Sequence, residues 1–203
     1  MRRPLEAISS AASFSSAALL LALALAGCGS SASGNASGTS SSGLSTVTTK
    51  PIPLTSTAFS LGSAIPARYT CDGANIAPPL KWGAVPPGTH EVVLFALGVS
   101  ASGKKSTVEW AMGGLNPELH KVGAGEVPSG AFLEQASDGK RHYSICPPAG
   151  QTQIYKFIVY AVPSLIKVTS KINGTGLLHN LAEGPPNFRA PAEGELPTSY
   201  TRS

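Results

Sequence analysis

The pattern of apolar and polar positions predicts a domain built mostly from strands. Residues 91–99 (EVVLFALGV) form a continuous apolar run between segments rich in Pro, Gly and Ser, which is typical of a strand buried on both faces. Residues 154–162 (IYKFIVYAV) are similarly apolar and rich in the β-branched and aromatic residues that favour strands. Residues 108–112 and 194–201 are further predicted strands.

Helix is scarce, and one stretch is the best candidate. Residues 176–183 (GLLHNLAE) place Leu177, Leu178 and Leu181 on one side, and Gly184-Pro185-Pro186 follows as a stop. The chain has 22 Gly and 17 Pro, which favours long structured loops around a sheet core. No internal repeat is visible. We therefore expect one mainly β domain, residues 51–203, with one or two short helices.

The N-terminal apolar run has the features of an export signal. Arg2 and Arg3 precede it, and it ends in Leu25-Ala26-Gly27-Cys28. A basic head, an apolar centre and small residues at the end make a secretory signal, and the final cysteine resembles the lipobox of bacterial lipoproteins. That resemblance implies cleavage after residue 27 and acylation of Cys28. Each buried acyl methylene contributes about 0.8 kcal/mol, so two or three chains anchor stably.

The alternative for this run is an uncleaved transmembrane helix. Its densest apolar part, residues 17–26, is shorter than the roughly 20 residues needed to cross a bilayer. Residues 29–50 are almost all Ser, Gly, Thr and Ala, a composition typical of a flexible linker with a root-mean-square span of roughly 25 Å. The sequence thus predicts a signal peptide (1–27), a lipidated Cys28 with a linker (28–50), and a domain held at the outer face of a bacterial cell membrane.

Charge excludes one class of partner. The net charge is +4, but the basic residues are scattered, and Lys104-Lys105 and Lys140-Arg141 are the adjacent pairs of the folded part. A nucleic-acid-binding protein needs a denser basic face. We therefore expect no nucleic-acid partner. The net charge does not indicate any other class of partner.

Residues 65–82 (IPARYTCDGANIAPPLKW) are the most distinctive segment of the chain. They resemble the opening motif of the bacterial phosphatidylethanolamine-binding family, also called Raf-kinase-inhibitor-like proteins. Further landmarks of that family follow in order, and the similarity covers roughly residues 57–202. These landmarks are Val85 to Thr89, Trp110, Tyr143 with Pro147 to Gly150, Tyr155 to Phe157, and Ala192 to Arg202.

The resemblance implies a mainly β fold of two antiparallel sheets with a small pocket at one end. In typical members the pocket binds phosphate-like anions, and the members act as ligand binders or as kinase or protease inhibitors rather than as catalysts. It implies no cofactor. The residues of this chain that match pocket positions are Glu109, Trp110, Tyr143, Pro147, Pro148 and Tyr155.

The chain departs from the family at that pocket. Residues 97–101 (LGVSA) replace an Asp-Pro-Asp-Ala-Pro turn, and Glu109 and Gln153 each replace a histidine. Residues 144–146 (SIC) shorten a loop and lack its glycine. Two like charges about 4 Å apart repel by roughly 4 kcal/mol at an effective dielectric constant of 20. We expect Glu109 to weaken or abolish anion binding, which leaves a neutral or cationic ligand, or none.

The cysteines, histidines and serine motifs bear on disulfide bonding, metal binding and hydrolase chemistry. Cys71 and Cys146 are an even pair in an oxidising compartment, which favours a disulfide, and two separate thiols are the alternative. The four histidines, residues 90, 120, 142 and 179, show no metal-ligand spacing, so we expect no metal. A hydrolase is disfavoured because the chain has no Gly-x-Ser-x-Gly motif.

Two functional hypotheses remain. The first is a membrane-tethered, non-enzymatic module that binds a small ligand or a partner protein. The second is a protein-interaction or inhibitory domain that uses the loops Ser102–Thr107 and Asn187–Glu195, in which Phe188 and Arg189 lie in a Pro-rich segment.

Overall fold

The structure is a computed structural model that describes residues 51–166, 173–184 and 189–203. The predicted signal peptide and linker lie outside these residues. The strands are β1 Leu54–Ser56, β2 Leu80–Trp82, β3 Glu91–Val99, β4 Ser106–Leu115, β5 Lys121–Val122, β6 Phe132–Leu133, β7 Thr152–Val162 and β8 Ala192–Thr201, and helix α1 is Gly174–Glu183. They form a three-stranded sheet, β1-β2-β5, and a five-stranded sheet, β6-β4-β3-β7-β8, with antiparallel pairs. The predicted mainly β fold of two antiparallel sheets is confirmed.

Strand β3 lies at the centre of the large sheet and is covered on both faces. Val92 and Leu94 belong to one apolar cluster with Leu80 and Trp82 of the small sheet. Val93, Phe95 and Leu97 belong to a second cluster, with Leu177 and Leu181 of α1. Successive side chains of a strand point to opposite faces, so a strand between two apolar layers is apolar along the covered stretch, which here is residues 92–97. The uninterrupted run in the sequence has this cause.

Helix α1 begins two residues before the predicted helix. The Asn173 side chain accepts a hydrogen bond from the backbone N–H of Gly176 at 2.9 Å. Asparagine is a favoured N-cap because it satisfies one of the N–H groups left free at a helix start. Leu177 and Leu181 are buried, whereas Leu178 is half-buried against the same cluster.

Gly194 of β8 is required by a close backbone approach. A Cβ atom built at this position would lie 1.8 Å from the carbonyl oxygen of Ile52. The Ile52 N–H donates to the Glu193 carbonyl at 2.9 Å. Glycine inside a strand often marks such an approach, which here fastens the segment preceding β1 to the edge of the large sheet.

Candidate functional site

A β-bulge at Glu109 shapes the candidate site. Trp110 pairs with Ala96 and Val108 with Leu97, so Glu109 has no partner across β3. Its carbonyl instead accepts a hydrogen bond from the Ser144 N–H at 3.2 Å. A bulge adds one residue to a strand and redirects the local side chains. Glu109 therefore lies over the end of β3 together with Thr107.

Three polar side chains converge above Gly98 at this end of the sheet. A Cβ atom at Gly98 would lie 2.6 Å from Gln153 Nε2, 2.6 Å from Glu109 Oε1 and 2.9 Å from Thr107 Oγ1. The Thr107 hydroxyl donates to Glu109 Oε1 at 2.6 Å. These groups fill the space that the missing Gly98 side chain leaves open, so a ligand must compete with them or bind against them.

Two buried tyrosines adjoin this cluster. The Tyr155 hydroxyl donates to Gln153 Oε1 at 3.2 Å, and the Tyr143 hydroxyl donates to the Tyr69 carbonyl at 2.8 Å. Burial raises the pKa of both phenols, and the negative charge of Glu109 raises each pKa further. Both rings are therefore neutral at physiological pH and act as hydrogen-bonding groups.

A disulfide joins the two loops that border the site. Cys71 and Cys146 are bonded, with Cα atoms 5.2 Å apart, so the disulfide prediction is confirmed. Beside it the Cys71 N–H donates to the Ile145 carbonyl at 3.0 Å. The Asn75 amide donates to Ser144 Oγ and accepts from the Ile145 N–H, at 3.3 Å each. Asn75 has a positive φ of 50°, a conformation that asparagine tolerates better than most residues.

Asp72 is a charged residue of this region that the sequence reasoning did not single out. Its carboxylate accepts hydrogen bonds from the Tyr200 hydroxyl and from the N–H and hydroxyl of Ser203, and it forms an ion pair with Arg202 at 3.6 Å. The Tyr200 hydrogen bond is the main cause that lowers the pKa of Asp72. The sequence signal for Asp72 is its position next to Cys71, because the disulfide holds this segment against the loop that contains Cys146.

The predicted pocket residues divide into three groups. Glu109, Tyr143 and Tyr155 lie close enough to influence one another electrostatically. Trp110 is buried and packs edge-on against Tyr143 at 6.0 Å between ring centroids; the two also line a separate cavity of about 260 Å³. Pro147 is buried and its carbonyl accepts from Arg202 at 3.4 Å, whereas Pro148 is exposed. Their roles in ligand binding stay predictions.

The carboxyl group of Glu109 is held in an environment that disfavours its charge. Burial is the main cause that raises its pKa, and the nearby Asp138 carboxylate adds to the rise. The Thr107 hydrogen bond and the charge of His142 oppose the rise without cancelling it. The His142 ring is itself paired with Asp138, at 2.7 Å.

Replacing Glu109 with glutamine is expected to raise the melting temperature at pH 7 by a few degrees. The raised pKa means that the folded state binds the proton more tightly than the unfolded chain, so the charged carboxylate costs stability at neutral pH. That cost disappears as the pH falls through the raised pKa to below the ordinary value of 4.5. Thermal melts from pH 4 to pH 8 should show the gap closing in acid. The exposed Glu118→Gln variant is the control, and a gap that persists unchanged at pH 4 would contradict the assignment.

Within residues 51–166, 173–184 and 189–203, no group of three His, Cys, Asp or Glu side chains is placed to hold a metal ion. No helix in the same ranges is long and apolar enough to cross a membrane.

Comparison with known sequences identifies related proteins. A family model described as phosphatidylethanolamine-binding protein matches residues 55–191. Mycobacterium tuberculosis LppC, whose name describes it as a lipoprotein, is 32% identical over 136 residues, which are 66% of this chain and 67% of LppC. The UPF0098 protein Mb1945c of Mycobacterium bovis is 38% identical over 122 residues, which are 59% of this chain and 58% of that protein.

Solved structures share the fold. The phosphatidylethanolamine-binding protein homologue CT736 of Chlamydia trachomatis superposes with a TM-score of 0.63 at 26% identity, covering 75% of this chain and 99% of CT736. Escherichia coli YbcL, described as a member of the mammalian PEBP family, superposes with a TM-score of 0.65 at 20% identity, covering 76% of this chain and all of YbcL.

Proposed function

Because the chain belongs to the phosphatidylethanolamine-binding protein family, we propose that it is a membrane-tethered, non-enzymatic binding module that accepts neutral or cationic small ligands in place of phosphate-like anions. The observation that carries this proposal is the half-buried carboxylate of Glu109. It lies over the end of β3 and, among the described residues, forms no ion pair. An unpaired carboxylate at a ligand position attracts donors and cations.

Electrostatics supports the exclusion of anions. A phosphate group within about 4 Å of the Glu109 carboxylate would be repelled by roughly 4 kcal/mol at an effective dielectric constant of 20, and an ammonium group would be attracted by a similar amount. Arg202, a cation of the same region, is already paired with Asp72. The side chains that surround Glu109 are therefore better suited to a ligand with N–H or O–H donors.

The state of the tyrosines supports a binding role rather than catalysis. Tyr143 and Tyr155 are held neutral by burial, and each hydroxyl donates to a partner within the protein. An enzymatic nucleophile needs an adjacent base or a lowered pKa, and both pKa values are shifted in the opposite direction.

Tethering is proposed from the N-terminal sequence. The Leu25-Ala26-Gly27-Cys28 motif supports lipidation of Cys28, and the Ser- and Gly-rich linker after it would separate the domain from the bilayer. Similarity to LppC supports this part of the proposal. The domain would then act at the outer face of a bacterial cell membrane.

The proposal is tested by titrating the full-length protein with ethanolamine, phosphoethanolamine and inorganic phosphate in a calorimeter. We expect saturable binding of ethanolamine, no binding of phosphate, and at least a tenfold loss of ethanolamine affinity in Glu109→Gln. Glu118→Gln is the matched control and should bind as the wild type does. Inorganic phosphate that displaces ethanolamine at micromolar concentration would overturn the proposal, as would ethanolamine affinity that is unchanged in Glu109→Gln.

The second hypothesis, a partner-binding surface on loops, has one observation in its favour. Every residue from 101 to 107 is exposed, and this loop leads directly into Thr107 of the site. Residues 187 and 188 of the other predicted loop lie outside the described residues. Glu109→Gln and Tyr155→Phe separate the hypotheses, because loop-mediated binding should be insensitive to both.

A further inference from the structure

Two lysines lie directly opposite each other on the small sheet. Lys81 of β2 pairs with Lys121 of β5 in the antiparallel register. Their chain neighbours Leu80, Trp82 and Val122 are buried in the core, so the alternation along each strand directs both lysines to the outer face. Like charges directly opposite on neighbouring strands destabilise a sheet. The fold therefore carries a local electrostatic cost at this position.

Within the part of the chain that the structure describes, no salt bridge offsets this cost. Among the described residues, neither Lys81 nor Lys121 forms an ion pair within 4.0 Å. Glu126 is the nearby acidic residue on the same surface, and its Oε2 atom accepts a hydrogen bond from the Gly123 N–H at 2.5 Å. The two ammonium groups thus remain available to an external anion.

The lysines border a cavity of about 410 Å³ whose other walls are largely apolar. Its exposed apolar surface comes mainly from the half-buried Pro79 and Leu119, since Leu80 and Val122 are only 1% and 3% exposed. Its polar lining consists of Lys81, Lys121, Thr57 and one carboxylate, Glu126. Pockets for small molecules usually have volumes of about 300–1,000 Å³, apolar walls and a few placed polar groups. This cavity has a volume in that range. It does not include Tyr155 or the three side chains that converge above Gly98, those of Thr107, Glu109 and Gln153.

We propose that this lysine-pair cavity binds an amphiphilic anion, meaning a carboxylate or phosphate head on an alkyl chain. The anionic head would bridge the two ammonium groups with charge-assisted hydrogen bonds, which removes their mutual repulsion. The alkyl chain would cover the exposed apolar surface of Pro79, Leu119 and the lysine methylenes, which removes that surface from water. A small inorganic anion would leave that surface exposed to water and is the weaker ligand.

Equilibrium dialysis of the full-length protein in a neutral maltoside detergent against labelled dodecanoate tests this proposal. We expect saturable binding at one site, and at least a tenfold loss of affinity when Lys81→Gln and Lys121→Gln are combined. The matched control is Lys104→Gln, an exposed lysine away from the cavity, which should bind as the wild type does. Partition of dodecanoate into detergent is the same for every variant and cancels in the comparison.

The comparison ligands decide what is recognised. Acetate and dodecanol, which lack the chain and the charge respectively, should each bind at least tenfold more weakly than dodecanoate. Displacement of dodecanoate by dioctanoylphosphatidylglycerol, with none by dioctanoylphosphatidylcholine, would identify an anionic lipid headgroup as the source. Failure of both lipids to displace it would identify a free fatty acid.

Two results would overturn the proposal: equal dodecanoate binding by the wild type and the double glutamine variant, or equal binding of acetate and dodecanoate. Melting temperatures of all variants confirm that they fold. Glu109→Gln should leave dodecanoate binding unchanged, so the outcome here is independent of the function proposed for the other site.

Discussion

Replacing both Cys71 and Cys146 with serine is expected to lower the free energy of unfolding by about 4 kcal/mol. The bond joins positions separated by 75 residues, and the chain-entropy model gives roughly 4 kcal/mol for closing a loop of that length. Urea denaturation of the oxidised wild type and the double variant measures the difference. The single variants serve as controls, because each should lose as much as the double variant.

Reduction should reproduce the effect of the substitutions. Cys146 is exposed and Cys71 half-buried, so a soluble dithiol can reach the bond. The wild type in reductant should then unfold at the urea concentration of the double serine variant. The backbone bond from Cys71 to Ile145 and the two Asn75 bonds persist without the disulfide, so the folded state should keep its architecture. A difference below about 1 kcal/mol would show that the unfolded chain gains little freedom when the bond is absent.

The main elements of the fold could be predicted because their patterns have direct physical causes. Residues 92–97 are apolar throughout since both faces of β3 are covered along this stretch. The helix before Gly184 is visible in the spacing of Leu177 and Leu181, which both reach the core. Strands β1, β2, β5 and β6 have only two or three residues each, and a period of two cannot be recognised over so short a length.

The geometry of the candidate site depends on features that periodicity does not encode. The bulge at Glu109 follows from the register between β3 and β4, which is set by the whole sheet. Asp72 reaches Tyr200 and Arg202 across more than a hundred residues of sequence. The family resemblance identified Glu109 and Tyr155, but their convergence over Gly98 required the structure. The opposed lysines likewise depend on the pairing of β2 with β5.

Glu91 is the buried carboxylate on which the start of β3 depends. Although it begins the apolar run, its side chain is almost fully buried. Oε1 accepts from the Gly114 N–H at 2.5 Å and Oε2 from the Ile166 N–H at 2.8 Å. Burial raises the pKa of Glu91, and these two hydrogen bonds oppose the rise. The side chain thereby joins β3 to a second irregularity in β4 and to the segment after β7.

Glu91→Ala is expected to lower the free energy of unfolding by about 3 kcal/mol, because it removes the acceptor of two part-buried N–H groups, those of Gly114 and Ile166, at about 1–3 kcal/mol for each group left unsatisfied. Glu91→Gln should lose less than half as much, because its carbonyl oxygen can still accept one bond and the neutral amide also removes the desolvation cost of the charge. Its amide nitrogen faces the second donor, so that bond is lost. Urea denaturation at pH 7 measures both, and the exposed Glu118→Ala should stay within about 0.5 kcal/mol of the wild type. A loss below 1 kcal/mol in Glu91→Ala would mean that water satisfies both donors. Equal losses in the two variants would mean that the glutamine keeps neither bond. The difference between the two losses therefore measures how much stability depends on two acceptor oxygens at position 91.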